Sequence, residues 1–185
     1  MVASQVVIAR AIRYTRAVTL DPAFVADCPY GPGALLIDEI VSVDREASAV
    51  VARASTHDDL PLTRDQRAHP ERHPRHVNGG LMIHLTGMVG FAHAYYVLGL
   101  RHADGWIGYG THVHSGRFRK MATIGAPLVL SCRATSVRRI GEALFARYDL
   151  RFTQGEAVVY EGDQSAIWTR VVSGTEREPR DTSRV

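Results

Sequence analysis

The chain has 185 residues, 45% of them hydrophobic and 22% charged, which predicts one soluble domain large enough to bury its own core. Its formal net charge of +3 is small, so we expect no nucleic-acid partner, because such partners usually require a clustered basic face. Cys28 and Cys132 are too few and too far apart for a disulfide framework or a zinc cage, and they favour a reducing cytoplasm.

The first half of the chain predicts two strands followed by a long loop. Residues 34–44 and 48–55 are rich in Val and Ile, which favour strands. Residues 56–75 are polar and contain three prolines, so regular structure is not expected there. The basic segment before residue 20 lacks a continuous apolar stretch, and we interpret it as an arm packed on the domain.

One long uncharged segment follows this loop. Residues 77–100 contain no Asp, Glu, Lys or Arg, a length that would suffice to cross a membrane. The segment nevertheless includes Asn78, two histidines and five glycines, and it has no partner span. We therefore predict a helix over 79–100 that is buried inside a domain, and no membrane contact.

The second half predicts four strands, at 106–120, 127–139, 143–152 and 157–172. Residues alternate between apolar and polar in the second and third of these, so each strand buries one face. An apolar helix must be covered on most sides, and a curved antiparallel sheet can cover it. We therefore predict an α+β hotdog fold, with residues 1–172 in a single domain and 173–185 as a disordered tail.

The candidate site is the segment His76-Val77-Asn78-Gly79-Gly80, where the loop enters the helix. Unpaired backbone N–H groups and the helix dipole create positive potential at such a position. They can hold the oxyanion that forms when a thioester carbonyl is attacked, with Gly79 and Gly80 as the expected donors. Asn78 is a good N-cap residue and is also a candidate catalytic residue. His76 is the candidate general base, because histidine titrates near neutral pH.

These residues carry a resemblance to a known family. His76-Val77-Asn78 resembles the His-x-Asn motif that opens the central helix in hotdog thioesterases of the 4-hydroxybenzoyl-CoA type. Residues 117–121 and Gly125 are similar to the end of their third strand and the following turn. In those enzymes an acid lies four residues before the histidine, where this chain has Arg72. Hotdog dehydratases carry a glutamate early in the helix, where this chain has Ile83-His84-Leu85.

A carboxylate-lacking hotdog subgroup of actinobacteria is more similar. The shared features are the His-x-Asn pair, the missing acid, the segment Cys28-Pro29-Tyr30-Gly31 and the long loop before the helix. Members of that subgroup hydrolyse long-chain fatty-acyl-CoA, or add glycine to an α,β-unsaturated acyl thioester in the biosynthesis of β-amino acids and isonitrile lipopeptides. Where an aromatic residue is expected about eight positions before Asn78, this chain has Pro70.

The resemblance implies an enzyme that adds glycine to an enoyl thioester on CoA or an acyl carrier protein, with thioester hydrolysis as a second activity. A plain acyl thioesterase and a non-catalytic acyl-binding module are the alternatives. We expect a homodimer or higher oligomer without cofactor or metal, since His69, His73 and His76 lack an obvious carboxylate ligand for zinc. The expected substrate-binding residues are Tyr30, Arg72, Arg75, Ser115 and Arg117, the last two on the strand face opposite His112 and His114.

Overall fold

The computed structural model describes residues 20–171. Its elements, in chain order, are α1 (Pro22–Asp27), α2 (Pro32–Leu35), β1 (Glu39–Asp44), β2 (Ala49–Ala54), α3 (Gly79–His93), a π-helical turn (Ala94–Leu98), a 3-10 turn (His102–Asp104), β3 (Trp106–Phe118), β4 (Leu128–Ile140), β5 (Ala143–Gln154) and β6 (Ala157–Arg170). The predicted N-terminal arm and the tail at 173–185 lie outside the described residues.

All six strands form one antiparallel sheet in the order β1-β2-β4-β5-β6-β3. The predicted alternation in β4 and β5 is confirmed, because the apolar face of each strand is buried and the intervening arginines are exposed. The buried face consists of Leu128, Leu130, Cys132, Tyr148, Leu150 and Phe152. The sheet packs this face against α3, so the predicted α+β arrangement of one long helix covered by an antiparallel sheet is confirmed.

Helix α3 forms the centre of the core. Nine of its fifteen residues are buried, which explains why the segment can do without charged residues. Among the described residues, the stretch Gly79–Leu98 is the one helix long and apolar enough to cross a membrane, and 56% of it is buried inside the protein. A core helix of this kind meets the same test as a membrane span.

The predicted first strand at 34–44 is wrong in its first half. Pro32 begins the short helix α2, since its fixed φ suits the first helical position, and Leu36 ends it in the left-handed conformation with φ 53°. The strand itself starts only at Glu39. The turn around α2 places Leu35 in the core at 2% exposure.

Strand β3 also departs from the predicted alternation. Its pairing with β6 shifts register between Gly110 and His112, and again between Val113 and Ser115. Ser115 therefore pairs with Asp163, and His114 Nε2 lies 2.7 Å from Ser165 Oγ on the same face of β6. The prediction that Ser115 and Arg117 face away from His112 and His114 is wrong, because two bulges interrupt the two-residue period.

Candidate functional site

Hydrogen bonds to the backbone of His76 hold this residue at the end of the long loop, directly before α3. The His76 N–H donates to Gln66 Oε1 at 3.1 Å, and the His76 carbonyl accepts from Gln66 Nε2 at 2.9 Å. His76 also forms an isolated β-bridge with Thr123, and the next residue, Val77, donates its N–H to the Ala122 carbonyl at 2.9 Å. The backbone of His76 is thus held on two sides before the helix begins.

The imidazole of His76 has a defined tautomer. Nδ1 lies 2.9 Å from the carbonyl oxygen of Pro74. A carbonyl can only accept a hydrogen bond, so Nδ1 carries the proton of the neutral ring. Nε2 then keeps its lone pair, and His76 lines the cavity at the helix start. A neutral histidine in this state has one nitrogen available to accept a proton.

Asn78 acts as the N-cap of α3. Its side-chain oxygen accepts a hydrogen bond from the Gly80 N–H at 2.8 Å, which uses one of the two backbone donors expected for the oxyanion. A catalytic role for Asn78 stays a prediction, because the cap accounts for its position by itself. The Gly79 N–H is the donor that this cap leaves for an oxyanion at the helix start.

A cavity of about 300 Å³ opens beside the helix start. His76 and Gly79 lie on its wall together with the apolar side chains of Met82, Phe118 and Met121. A Cβ atom at position 79 would lie only 3.2 Å from the ring of Phe118, so a larger residue there would need this ring to shift, a close contact that the sequence did not reveal. The cavity therefore combines a proton acceptor, a backbone donor and an apolar wall.

Two cations lie on the rim of this cavity. Arg119 forms an ion pair with Glu161 at 2.8 Å. Lys120 lines the cavity directly after it. A flexible ammonium at the mouth of a cavity is suited to a phosphate or carboxylate group.

The two loop arginines expected at the site have other neighbours. Arg75 pairs with Asp58 at 3.2 Å. Arg72 is exposed, and its backbone N–H donates to His69 Nδ1 at 3.1 Å. Neither arginine lines the cavity that contains His76, so Lys120 is the better placed cation.

Tyr30 lies along α3 rather than at its first turn. Its ring contacts those of His84 and Phe91, each with a centroid distance of 5.7 Å. It lines a separate groove of about 380 Å³ between α3 and β3, to which Gly87 and Val113 also contribute. Tyr30 is therefore placed to contact a chain that extends along the helix.

Ser115 and Arg117 lie in a cleft on the outer face of the sheet, with Glu161 and Asp163 as neighbours. This cleft and the cavity of His76 have no lining residue in common. A role for the two residues in substrate binding stays a prediction.

The two cysteines are poor candidates for nucleophiles. Burial raises the pKa of the Cys132 thiol, and it also raises the pKa of the Cys28 thiol. Among residues 20–171, no three His, Cys, Asp or Glu side chains are grouped so that they could hold a metal ion.

Several solved structures are similar to this chain. Thioesterase PA1618 from Pseudomonas aeruginosa (a Q49A mutant) is 15% identical, with a TM-score of 0.55 over 80% of this chain and 92% of that one. AziG from S. sahachiroi is 18% identical, with a TM-score of 0.51 over 74% and 94% of the two chains. The PaaI protein of the phenylacetic acid degradation operon of E. coli is 17% identical, with a TM-score of 0.50 over 72% and 83%.

At these identities the likeness establishes the fold, which is the hotdog fold. No family model matches the sequence. No curated protein matches it either.

Proposed function

We propose that this hotdog protein is an enzyme that processes acyl thioesters, with His76 as general base and the Gly79 N–H as oxyanion donor. The observation that carries the proposal is that both groups line one cavity, with Nε2 of His76 unprotonated in its neutral tautomer. Fold alone would not justify a reaction, because one fold hosts many chemistries. The proposal therefore rests on these two groups and on the apolar wall beside them.

For hydrolysis, the oxygen of a water molecule would attack the thioester carbonyl carbon while His76 Nε2 takes one of its protons. The carbonyl oxygen becomes negatively charged and accepts a hydrogen bond from the Gly79 N–H. The carbon–sulfur bond then breaks, and the departing thiolate receives the proton from His76. The products are a carboxylic acid and a free thiol on CoA or on a carrier protein.

We further propose that the physiological reaction is the addition of glycine to an α,β-unsaturated acyl thioester. The amine nitrogen would attack the β-carbon, and the electron pair of the double bond would move to the thioester oxygen as an enolate near the Gly79 N–H. His76 takes a proton from the new ammonium group and gives it to the α-carbon of the enolate, which completes the product. Such an attack requires no carboxylate nucleophile, which agrees with Arg72 standing where related thioesterases have an acid.

Charge at the rim favours the same substrates. Lys120 is placed to attract the carboxylate of glycine or the phosphate of CoA or phosphopantetheine. The apolar side chains of Met82 and Phe118 are suited to the acyl chain. A role in cytoplasmic secondary metabolism would follow from these substrates.

The glycine reaction has a direct test. We incubate the protein with a trans-2-enoyl thioester and glycine, and follow the products by mass spectrometry. We expect an N-carboxymethyl-3-amino acyl product, either free or still on its carrier. Omitting glycine, or supplying the saturated thioester of the same chain length, should slow consumption of the thioester markedly.

Hydrolysis alone gives a different result. Equal rates for saturated and unsaturated thioesters, with no effect of glycine, would reject the addition and leave a plain acyl thioesterase. Saturable binding of both thioesters without turnover would instead identify a non-catalytic acyl-binding module.

We also propose that two copies associate through β3. Within residues 20–171 this strand pairs on one side only, with β6, and no Asp, Glu, Lys or Arg occurs from Trp106 to Gly116. Its apolar residues Tyr109 and Val113 are 56% and 59% exposed. Soluble proteins usually protect a long edge strand with charge or cover it with another chain. Pairing β3 with its symmetry mate would cover the edge and place the candidate sites at the boundary between the two chains.

Light scattering tests the association. We expect a mass of about twice 20.4 kDa for the wild-type protein and a weakened dimer for Val113→Asp. Val137→Asp is the matched control, since Val137 is 38% exposed on β4, which β5 and β6 separate from β3 in the sheet. A fully active wild-type protein with the mass of one chain would contradict the proposed dimer.

A further inference from the structure

The site depends on a side chain that lies outside the cavity wall. Gln66 exchanges two hydrogen bonds with the backbone of His76, as donor to its carbonyl at 2.9 Å and as acceptor from its N–H at 3.1 Å. A side-chain amide used in this way imitates a neighbouring β-strand, and it fixes both polar groups of one residue at once. We call this pair of bonds the glutamine clamp.

The clamp is itself anchored. The backbone N–H of Gln66 donates to the Thr63 carbonyl at 3.1 Å. Thr63 is fully buried, and its hydroxyl lies 3.4 Å from the His76 carbonyl. Thr63 in turn donates its N–H to the carbonyl of Leu60, which is 4% exposed. Without such contacts, a polar loop of this length would be mobile and would not fix the position of one residue. The clamp connects His76 to a part of the loop that is packed in the core.

An equivalent arrangement holds the other side of the bridge. Gln154 accepts from the Thr123 N–H at 2.9 Å and donates to the Thr123 carbonyl at 2.8 Å. Thr123 is the bridge partner of His76, but the remaining bonds of Gln154 go to Thr123 Oγ1 and the Ala126 carbonyl rather than to His76. The chain therefore offers two glutamines with the same bonding pattern, of which one holds the candidate base directly.

We infer that Gln66 is a positioning residue for His76. This inference rests on the proposed function, in which Nε2 of His76 accepts a proton. The hydrogen bond from His76 Nδ1 to the Pro74 carbonyl selects that tautomer. It joins residues only two positions apart, so its geometry depends on the backbone of His76, which Gln66 holds. Releasing the backbone would let the Pro74–His76 turn open, which weakens this bond and moves the ring relative to the Gly79 N–H.

The test uses Gln66→Met, which keeps the length of the side chain and removes both hydrogen bonds. We expect kcat on an acyl thioester to fall by about 10- to 100-fold with KM nearly unchanged, because a small misplacement of a reacting group is costly while binding by the apolar wall persists. Nitrogen-15 NMR of the imidazoles should show the Nδ1–H form of His76 in the wild-type protein and a mixture of tautomers in the variant.

Gln154→Met is the matched control. It removes the corresponding pair of bonds to the Thr123 backbone, together with the bonds to Thr123 Oγ1 and the Ala126 carbonyl, and leaves the clamp on His76 intact. We therefore expect kcat within about twofold of the wild-type value and no change of tautomer. Gln66→Glu keeps the acceptor but sets a carboxylate oxygen, which cannot donate, against the His76 carbonyl, so its kcat should also fall below that of the wild-type protein. If Gln66→Met does not fold, this variant provides the comparison.

Two results would overturn the inference. One is a wild-type kcat and a single His76 tautomer in Gln66→Met. The other is an equal loss of kcat in Gln66→Met and Gln154→Met, which would mean that the bonds support the fold alone. The NMR measurement does not depend on turnover, so an inactive wild-type protein would refute the proposed function and still decide whether Gln66 positions His76.

Discussion

Replacing His76 by alanine should abolish turnover of acyl thioesters and leave the protein folded. We expect kcat to fall by about 10²–10⁴-fold, the usual effect of losing a general base. The fold should survive because the bonds that His76 makes to Gln66, and its bridge to Thr123, involve its backbone and persist in alanine. Steady-state kinetics and circular dichroism on the same preparation measure the two effects.

The matched control for this variant is His73→Ala. His73 lies on the same loop, is exposed, and has its ring centroid 4.9 Å from that of His76. If His76 is the base, His73→Ala should keep kcat within about threefold of the wild-type value, as expected for a surface substitution. Near-normal kcat in a folded His76→Ala, with a large loss in His73→Ala, would move the role of base to His73.

The sequence predicts the fold well because its strongest signals follow burial. Two-residue alternation in β4 and β5 and the uncharged stretch of α3 each reflect burial, and burial is what the sheet and helix provide. The helical turn at α2 was missed because its four residues carry no period, and only Pro32 after Gly31 marks its start. The two bulges in β3 were not predicted, because a single inserted residue in a strand of thirteen leaves no recognisable break in the alternation of apolar and polar residues.

The features of the candidate site that depend on the local sequence were predictable. The cap by Asn78 follows from residue type and from its place before the helix. Contacts across the fold were not predictable, since the ion pair of Arg75 with Asp58, the ring of Phe118 over Gly79 and the glutamine clamp all join distant or irregular segments. The clamp could have been suspected only from a glutamine in a loop otherwise rich in charged residues.

One buried histidine should make the stability of the protein depend on pH. His93, the last residue of α3, is fully buried with its ring against that of Tyr148. Nε2 lies 3.0 Å from the Ser48 carbonyl, so the neutral ring donates from this atom, and Nδ1 has no hydrogen-bond partner in the part of the chain that the structure describes. Burial lowers the pKa of His93 to about 4.

The direction of the effect follows from linkage. In the unfolded chain a histidine has a pKa near 6.5, so between pH 6.5 and 4 the unfolded state binds a proton that the folded state does not. The free energy of unfolding must therefore fall as the pH falls through this range. For His93 the loss between pH 7 and pH 5 is about 2 kcal/mol, and it approaches about 3 kcal/mol at pH 4.

Urea denaturation at pH 7 and pH 5 measures this contribution when wild type is compared with His93→Gln. The glutamine variant should be less stable at pH 7, because it loses the contact with Tyr148 and the fitted bond to Ser48. Between the two pH values, however, the free energy of unfolding of the variant should fall by about 2 kcal/mol less than that of the wild type. The reason is that the variant has no imidazole at position 93 to take up a proton on unfolding. All other titrating groups are common to both proteins and cancel in the comparison. Equal losses in the two proteins would mean that His93 is already able to bind a proton in the folded state, which would require water or a second donor-acceptor group to reach Nδ1.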